Sequence, residues 1–201
     1  QTQRGSISRL REQFRLVNEN LRRYNQSQVL SLLQSPRFDK LWEGSFVKPF
    51  GSLEVPFGVL MRYSFNGRKL GQQYQEGYKI RTSHRAKVHA ANGGVVIFSD
   101  HLGVYGRMVA MDHGLGLVSL YGRLGEVTVS EGDQVSKGAH IAYAGQTGFA
   151  TSPQVYFEMR VQGVPVNPRE WLDRAWVDAH VDGKINEVKK LLGITRYIPL
   201  R

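Results

Sequence analysis

Tyr105-Gly-Arg-Met-Val-Ala-Met-Asp-His113 sits among other short β-branched and aromatic runs cut by glycine: Gly94-Val-Val-Ile-Phe-Ser99, Gly116-Leu-Val-Ser-Leu-Tyr121, Glu126-Val-Thr-Val129, Ala139-His-Ile-Ala-Tyr-Ala144 and Gln154-Val-Tyr-Phe-Glu-Met-Arg160. Runs of this length and composition, bounded by turn residues, predict strands rather than helices. No 3.6-residue period competes with them between Ala86 and Arg160. The expectation is a mainly β protein with a compact antiparallel core.

Working outward, Val59 to Phe65 reads as a further strand that closes on Asn66-Gly67, a hairpin-turn dipeptide. The segment Phe38 to Phe50 reads as a linker followed by an edge strand, where Pro49 is tolerated. Upstream lies a different pattern. Ile7, Leu10, Phe14, Val17, Leu21 and Tyr24 are spaced 3, 4, 3, 4, 3, which predicts one apolar seam on a helix from about Ser6 to Leu33, stopped near Ser35-Pro36. That seam must be buried against the chain's own β domain or against another chain. Downstream, Asn167-Pro168 opens a helix to about Ala179, and a second helix from Asp182 to Leu192 takes Asp182 as its cap and Gly193 as its stop. The organisation is therefore an N-terminal helix (1–36), a linker with edge strand (37–49), a β domain (50–171) and a C-terminal helical extension with a tail (172–201).

The strings Ala91-Asn-Gly-Gly-Val-Val-Ile97, Tyr105 to Gly116, Leu120-Tyr-Gly-Arg-Leu124, Glu131-Gly-Asp-Gln-Val-Ser-Lys-Gly138, Ala144-Gly-Gln-Thr-Gly148 and Val166-Asn-Pro168, in this order, resemble the LytM, or M23 peptidase, domain of bacterial cell-wall endopeptidases. The resemblance runs from about Phe50 to Trp171. It implies the compact LytM/M23-type β core. In active members a His, an Asp four residues later and the second His of a His-x-His motif hold zinc, and two further histidines assist. Matched by position, Gln75 and Lys79 replace the first His and the Asp, Gln154 and Tyr156 replace the His-x-His pair, and Arg123 replaces the further His.

Zinc takes imidazole, thiolate or carboxylate ligands, and a catalytic site needs about three of them plus an open position. An amide, an ammonium and a phenol do not meet that need. Lys79 and Arg123 would also bring positive charge to the place of a dication. No zinc motif can be built from the other histidines (His84, His89, His101, His113, His140 and His180), and no Gly-x-Ser-x-Gly elbow or cysteine supplies a nucleophile. The chain is expected to be a non-catalytic member of the family with no metal and no cofactor. An active metallo-endopeptidase with an atypical metal site is the enzyme alternative.

Such members of the family bind and regulate a separate cell-wall hydrolase or pair with an active relative. The resemblance thus implies a periplasmic regulator or scaffold in cell shape or division. Its partner would be another LytM-type endopeptidase, an amidase, or a second copy engaged through the N-terminal helix, with Ile7, Leu10, Phe14, Val17, Leu21 and Tyr24 as the contact seam. A peptidoglycan-binding module without a hydrolase partner is the alternative binder. The net charge of +10 suits an acidic polymer, but dispersed Lys and Arg without a reader motif argue against nucleic acid. There are 0 cysteines, hence no disulfide framework. No apolar run approaches the roughly 18 residues of a membrane span, so any membrane attachment or export signal is expected to lie outside this sequence.

Overall fold

The computed structural model describes residues 2–33 and 37–194. Two helical stretches, α1 (Thr2–Arg15) and α2 (Arg22–Leu32), are joined by a π turn at Leu16–Leu21. Strands follow as β1 (Ser52–Val55), β2 (Leu60–Phe65), β3 (Arg68–Tyr74), β4 (Tyr78–Arg81), β5 (Lys87–His89), β6 (Gly94–Leu102), β7 (Gly106–Gly114), β8 (Leu117–Val127), β9 (Gln134–Val135), β10 (His140–Ala144), β11 (Gln154–Val161) and β12 (Val164–Val166). The chain ends in α3 (Pro168–Leu172), α4 (Arg174–Val177), a π turn at Asp178–Asp182 and α5 (Gly183–Leu191).

The main sheet has 10 strands along the path β1-β4-β11-β8-β7-β6-β9, with β10 joined to β8 and β5, and β12 to β11. All of its pairings are antiparallel. Hairpin β2-β3 forms a separate two-stranded sheet. Its Asn66 and Gly67 both adopt positive φ (47° and 72°), the conformation that a two-residue hairpin turn requires.

Side chains alternate across a strand, and in the centre of this sheet both faces are apolar. Val109, Met111, Tyr121, Val155, Phe157 and Met159 join one buried cluster, together with Trp42, Phe46, Trp171 and Val177. Met108, Ala110, Val118, Leu120 and Tyr156 join another, and Val29 of α2 is part of it. Val29 has 0% of its surface exposed. The N-terminal helix therefore packs against its own β domain. Asn25, also buried, accepts a hydrogen bond from the Val104 N–H at 2.9 Å. Phe14 reaches the hairpin, where its ring lies 5.0 Å from Tyr63 and touches Gly71, a position with no room for a Cβ.

The predicted seam does not survive as one face. Leu10 and Phe14 are half-buried, but Val17, Leu21 and Tyr24 are 41%, 37% and 60% exposed. A π turn adds a residue to its helical turn and rotates the next stretch of helix about the axis. After Leu16–Leu21 the inward positions become Arg22, Asn25 and Val29. The side chain of Ile7, and the expected stop at Ser35-Pro36, lie outside the described residues.

Three local expectations are corrected. Residues 37–49 contain no strand; the edge strand is β1, after Pro49. The supposed linker is instead a strap fixed in the core, with Trp42 and Phe46 buried and backbone bonds from Leu41 to His113, Phe46 to Trp171 and Val47 to Ala91. The helix expected over Arg169–Ala179 breaks at Asp173, whose carboxylate caps α4 by accepting from the Ala175 and Trp176 N–H groups. Asn167 does cap α3, with Pro168 in its first turn. Asp182 caps nothing: it lies within a continuous helical run and pairs with Lys40 at 2.7 Å. Gly193, at φ 66°, follows α5 as expected.

His113 ties the strap to the sheet. Its Nδ1–H donates to the Gly93 carbonyl at 2.6 Å, so Nε2 is the acceptor facing Ser119 Oγ at 2.7 Å. Next to it Gly114, at φ 86°, leaves no space for a Cβ beside the Asp39 carbonyl. Burial pushes the imidazole down to about 4. The unfolded ring takes up a proton near its ordinary value while the folded one stays neutral, so the stability present above pH 6.5 is lost as pH falls towards 4. The linkage is on the order of 3 kcal/mol. Urea unfolding at a series of pH values is expected to show this acid loss, and His113→Gln is expected to flatten it; an equal slope in the variant would contradict the assignment.

Candidate functional site

Four of the five positions singled out in the sequence come together on the face of the sheet that α2 covers. Gln154 and Tyr156 both project to one side of β11, and Lys79 on β4 stands opposite Tyr156 in register. Arg123 reaches them from β8. It does so from a left-handed backbone conformation, φ 66°, which is uncommon for a side-chain-bearing residue. Its Nη1 donates to Gln154 Oε1 at 2.5 Å, and its guanidinium carbon lies 5.3 Å from the centre of the Tyr156 ring. Gln75 stands between β3 and β4. Its backbone bonds to Val59 and Gly58, and its side-chain Nε2 is buried without a partner.

The two cations have different partners. Lys79 Nζ lies 3.1 Å from Glu54 Oε2, and Arg81 holds the other oxygen of that carboxylate at 2.7 Å. The bond from Arg81, and then that from Lys79, lowers the Glu54 carboxyl below its ordinary range. Arg123 instead meets a neutral amide and the π face of a phenol, an arrangement that stabilises a desolvated cation. Its burial draws the guanidinium down from its ordinary value.

Beneath this layer, Tyr156 Oη donates to Glu158 Oε2 at 2.6 Å, and Arg160 Nε donates to Glu158 Oε1 at 2.5 Å. Arg160 Nη1 reaches the Gly163 carbonyl at 3.1 Å. Burial drives the Glu158 carboxyl up, and Arg160 pulls it back. Tyr156, Glu158 and Arg160 share one face of β11, so they form a column of hydrogen bonds. Glu54, Glu158 and Arg160 were not recognised from the sequence as parts of the site. The alternation Tyr156-Phe-Glu158-Met-Arg160 carried that signal for two of them.

Helix α2 lies over this face. Gln26 donates to Glu76 at 2.6 Å, next to Gln75, and the Arg22 guanidinium sits 5.7 Å from the Phe149 ring centre. Gln154 is 0% exposed and Tyr156 6%. Most polar atoms of the set are thus engaged inside the protein, Arg123 Nε and Gln75 Nε2 being buried without partners, and the buried phenol offers no open ring face.

The donor set does not fit zinc. Lys79 carries a positive charge held by Glu54, Tyr156 Oη is directed to Glu158, and Gln154 Oε1 accepts from a guanidinium. Among the described residues no group of three or more His, Cys, Asp or Glu side chains is placed to hold a metal.

Comparison with known proteins agrees with this fold. Residues 73–168, a little under half of this chain, match the model of peptidase family M23. Over 142 residues it is 39% identical to the murein hydrolase activator EnvC of Escherichia coli, covering 66% of this chain and 33% of that protein. Over 116 residues it is 38% identical to the DD-carboxypeptidase/endopeptidase Mpg of Neisseria meningitidis, covering 58% of this chain and 26% of that protein. The chain therefore spans a third or less of the length of these relatives. A zinc-containing peptidase from Vibrio cholerae superposes with a TM-score of 0.56 at 24% identity, over 63% of this chain and 40% of that one. At this identity the superposition speaks for the fold alone.

Removing Arg123 should show how far the set depends on it. Arg123→Ala leaves the buried Gln154 Oε1 without its donor and is expected to cost about 1–3 kcal/mol in denaturant unfolding at neutral pH. A change within experimental error would mean that Arg123 does not hold the site together.

Proposed function

We propose that this chain is a non-catalytic LytM-like protein of the bacterial envelope that binds and regulates, or scaffolds, a peptidoglycan hydrolase in the periplasm. One observation carries the proposal: the positions that match the zinc and proton-transfer groups of the family hold Lys79, Arg123, Gln154 and Tyr156, each with at least one polar atom bonded within the protein, while Arg123 Nε is buried without a partner. Such a set has shape and charge but neither an electron-pair donor free for a metal nor a general base aimed at solvent. A role in binding rather than in chemistry follows, carried by the surfaces around this buried set. Similarity to a protein named as a murein hydrolase activator supports the same reading. The partner is an amidase or a LytM-type endopeptidase.

The face that carries the former site is also the face that α2 covers through Asn25 and Val29. A partner that docks there competes with the helix. One that leaves the helix in place meets Val17, Leu21 and Tyr24, which point outward and keep the partner role proposed for them. Loosening the helix distinguishes the two routes.

Purified chain added to an envelope amidase or LytM-type endopeptidase acting on isolated sacculi is expected to raise the rate of soluble product release. Val29→Ala removes about two methylene equivalents from a fully buried site, a loss of roughly 2 kcal/mol in helix docking. It should increase the stimulation if docking occurs under the helix, and leave it unchanged if docking occurs on the outer seam. No stimulation of either hydrolase class by either protein would contradict the proposal.

A further inference from the structure

Between the N-terminal helix and hairpin β2-β3 lies an open crevice of about 250 Å³. Its walls bring both signs of charge together: Arg22, Arg23 and Glu19 from the helix, and Glu76 from the turn after β3. Phe14 supplies an apolar patch at one end, and Gln73 on β3 faces the helix. Two polar atoms of these walls are buried without a hydrogen-bond partner, the donor Arg22 Nε and the acceptor Gln73 Oε1. Both atoms lie beneath the surface of residues that line the crevice, and an orphaned buried polar atom costs about 1–3 kcal/mol, so a guest that draws these side chains into the crevice and supplies the missing acceptor and donor is favoured by both. Lys79, Arg123, Gln154 and Tyr156 do not line the crevice, although its Arg22 and Glu76 are near enough to act on Arg123 and Tyr156 through their charges.

The charges restrict what that guest is. A simple anion such as phosphate would gain Arg22 and Arg23 but meet Glu19 and Glu76, and a simple cation faces the reverse conflict. A molecule with a carboxylate and an ammonium a few bonds apart meets neither. The volume falls below the roughly 300–1,000 Å³ of pockets for drug-sized ligands, which limits the guest to an amino acid or a dipeptide. We propose that this crevice is a binding site for a small amino-acid or dipeptide zwitterion, with its carboxylate on Arg22 and Arg23, its ammonium towards Glu19 and Glu76, and an N–H donated to Gln73. Since the site joins helix to hairpin, an occupied crevice also braces the helix against the β domain.

Alanyl-alanine is the probe, in its L,L and D,D forms, titrated into the full chain while the Arg22 Nε–H signal is followed by nitrogen-15 NMR. A saturable shift of that signal is expected. N-acetyl-alanyl-alanine, which lacks the ammonium, and alanyl-alaninamide, which lacks the carboxylate, should each bind at least about tenfold more weakly, the loss of one charge-assisted bond. Arg22→Gln should weaken binding by a similar factor. Because Arg22 also lies over Phe149, the capped dipeptides on the unaltered protein decide the matter if the variant fails to fold. The tighter stereoisomer identifies the source, a protein-derived peptide for L,L or one ending in D-amino acids for D,D. No saturable shift with either isomer up to its solubility limit, or equal affinity for free and capped forms, overturns the proposal. These outcomes are independent of hydrolase stimulation.

Discussion

A sheet whose central strands are apolar on both faces has to be covered on both, because each exposed Leu- or Met-sized side chain forfeits roughly 1.5–3 kcal/mol of burial. In this protein β7, β8 and β11 impose that constraint. One face is closed by the strap through Trp42 and Phe46, by Trp171 and by Val177. The other is closed in part by Val29. The position of α2 is thereby set on the face that also carries Tyr156.

Chemistry at the site depends on residue types as much as on position. A zinc centre in this fold would concentrate a double positive charge on lone pairs. Here the cationic charge resides on Arg123 and Lys79, and the surroundings suit it: an amide and an aromatic face for the guanidinium, a carboxylate from β1 for the ammonium. The column from Tyr156 through Glu158 to Arg160 fixes the phenol from beneath. An ion pair so deeply buried is weak evidence for added stability, since desolvation offsets much of its attraction. Its clearer effect is geometric, because it fixes the direction of the Tyr156 hydroxyl and keeps it from serving a ligand.

Much of this was legible in the residue pattern. Strands β6, β7, β8, β10 and β11, the Asn66-Gly67 turn and the Asn167 cap all declare themselves through local composition, because the physics that sets them acts over a few residues. The grouping of Lys79, Arg123, Gln154 and Tyr156 was legible only through family resemblance, since β4, β8 and β11 are distant in sequence. The features that escaped were non-local or depended on a small break in periodicity. Six residues at heptad spacing implied one seam, but the π turn at Leu16–Leu21 turned Val17, Leu21 and Tyr24 outward and Asn25 and Val29 inward. Asp173 serves as a cap because the chain turns extended there, and Asp182 does not because the helix runs through it. Glu54 pairs with Lys79 across a strand junction that no local motif announces.

The central claim is that a peptidase shell has exchanged metal chemistry for an internally bonded set of side chains. Its most direct test is to incubate the unaided chain with crosslinked muropeptides, with added zinc and again with a chelator, and to follow the products by mass spectrometry. The account predicts no cleaved crosslink under either condition. Cleavage that requires zinc and stops with the chelator would contradict it.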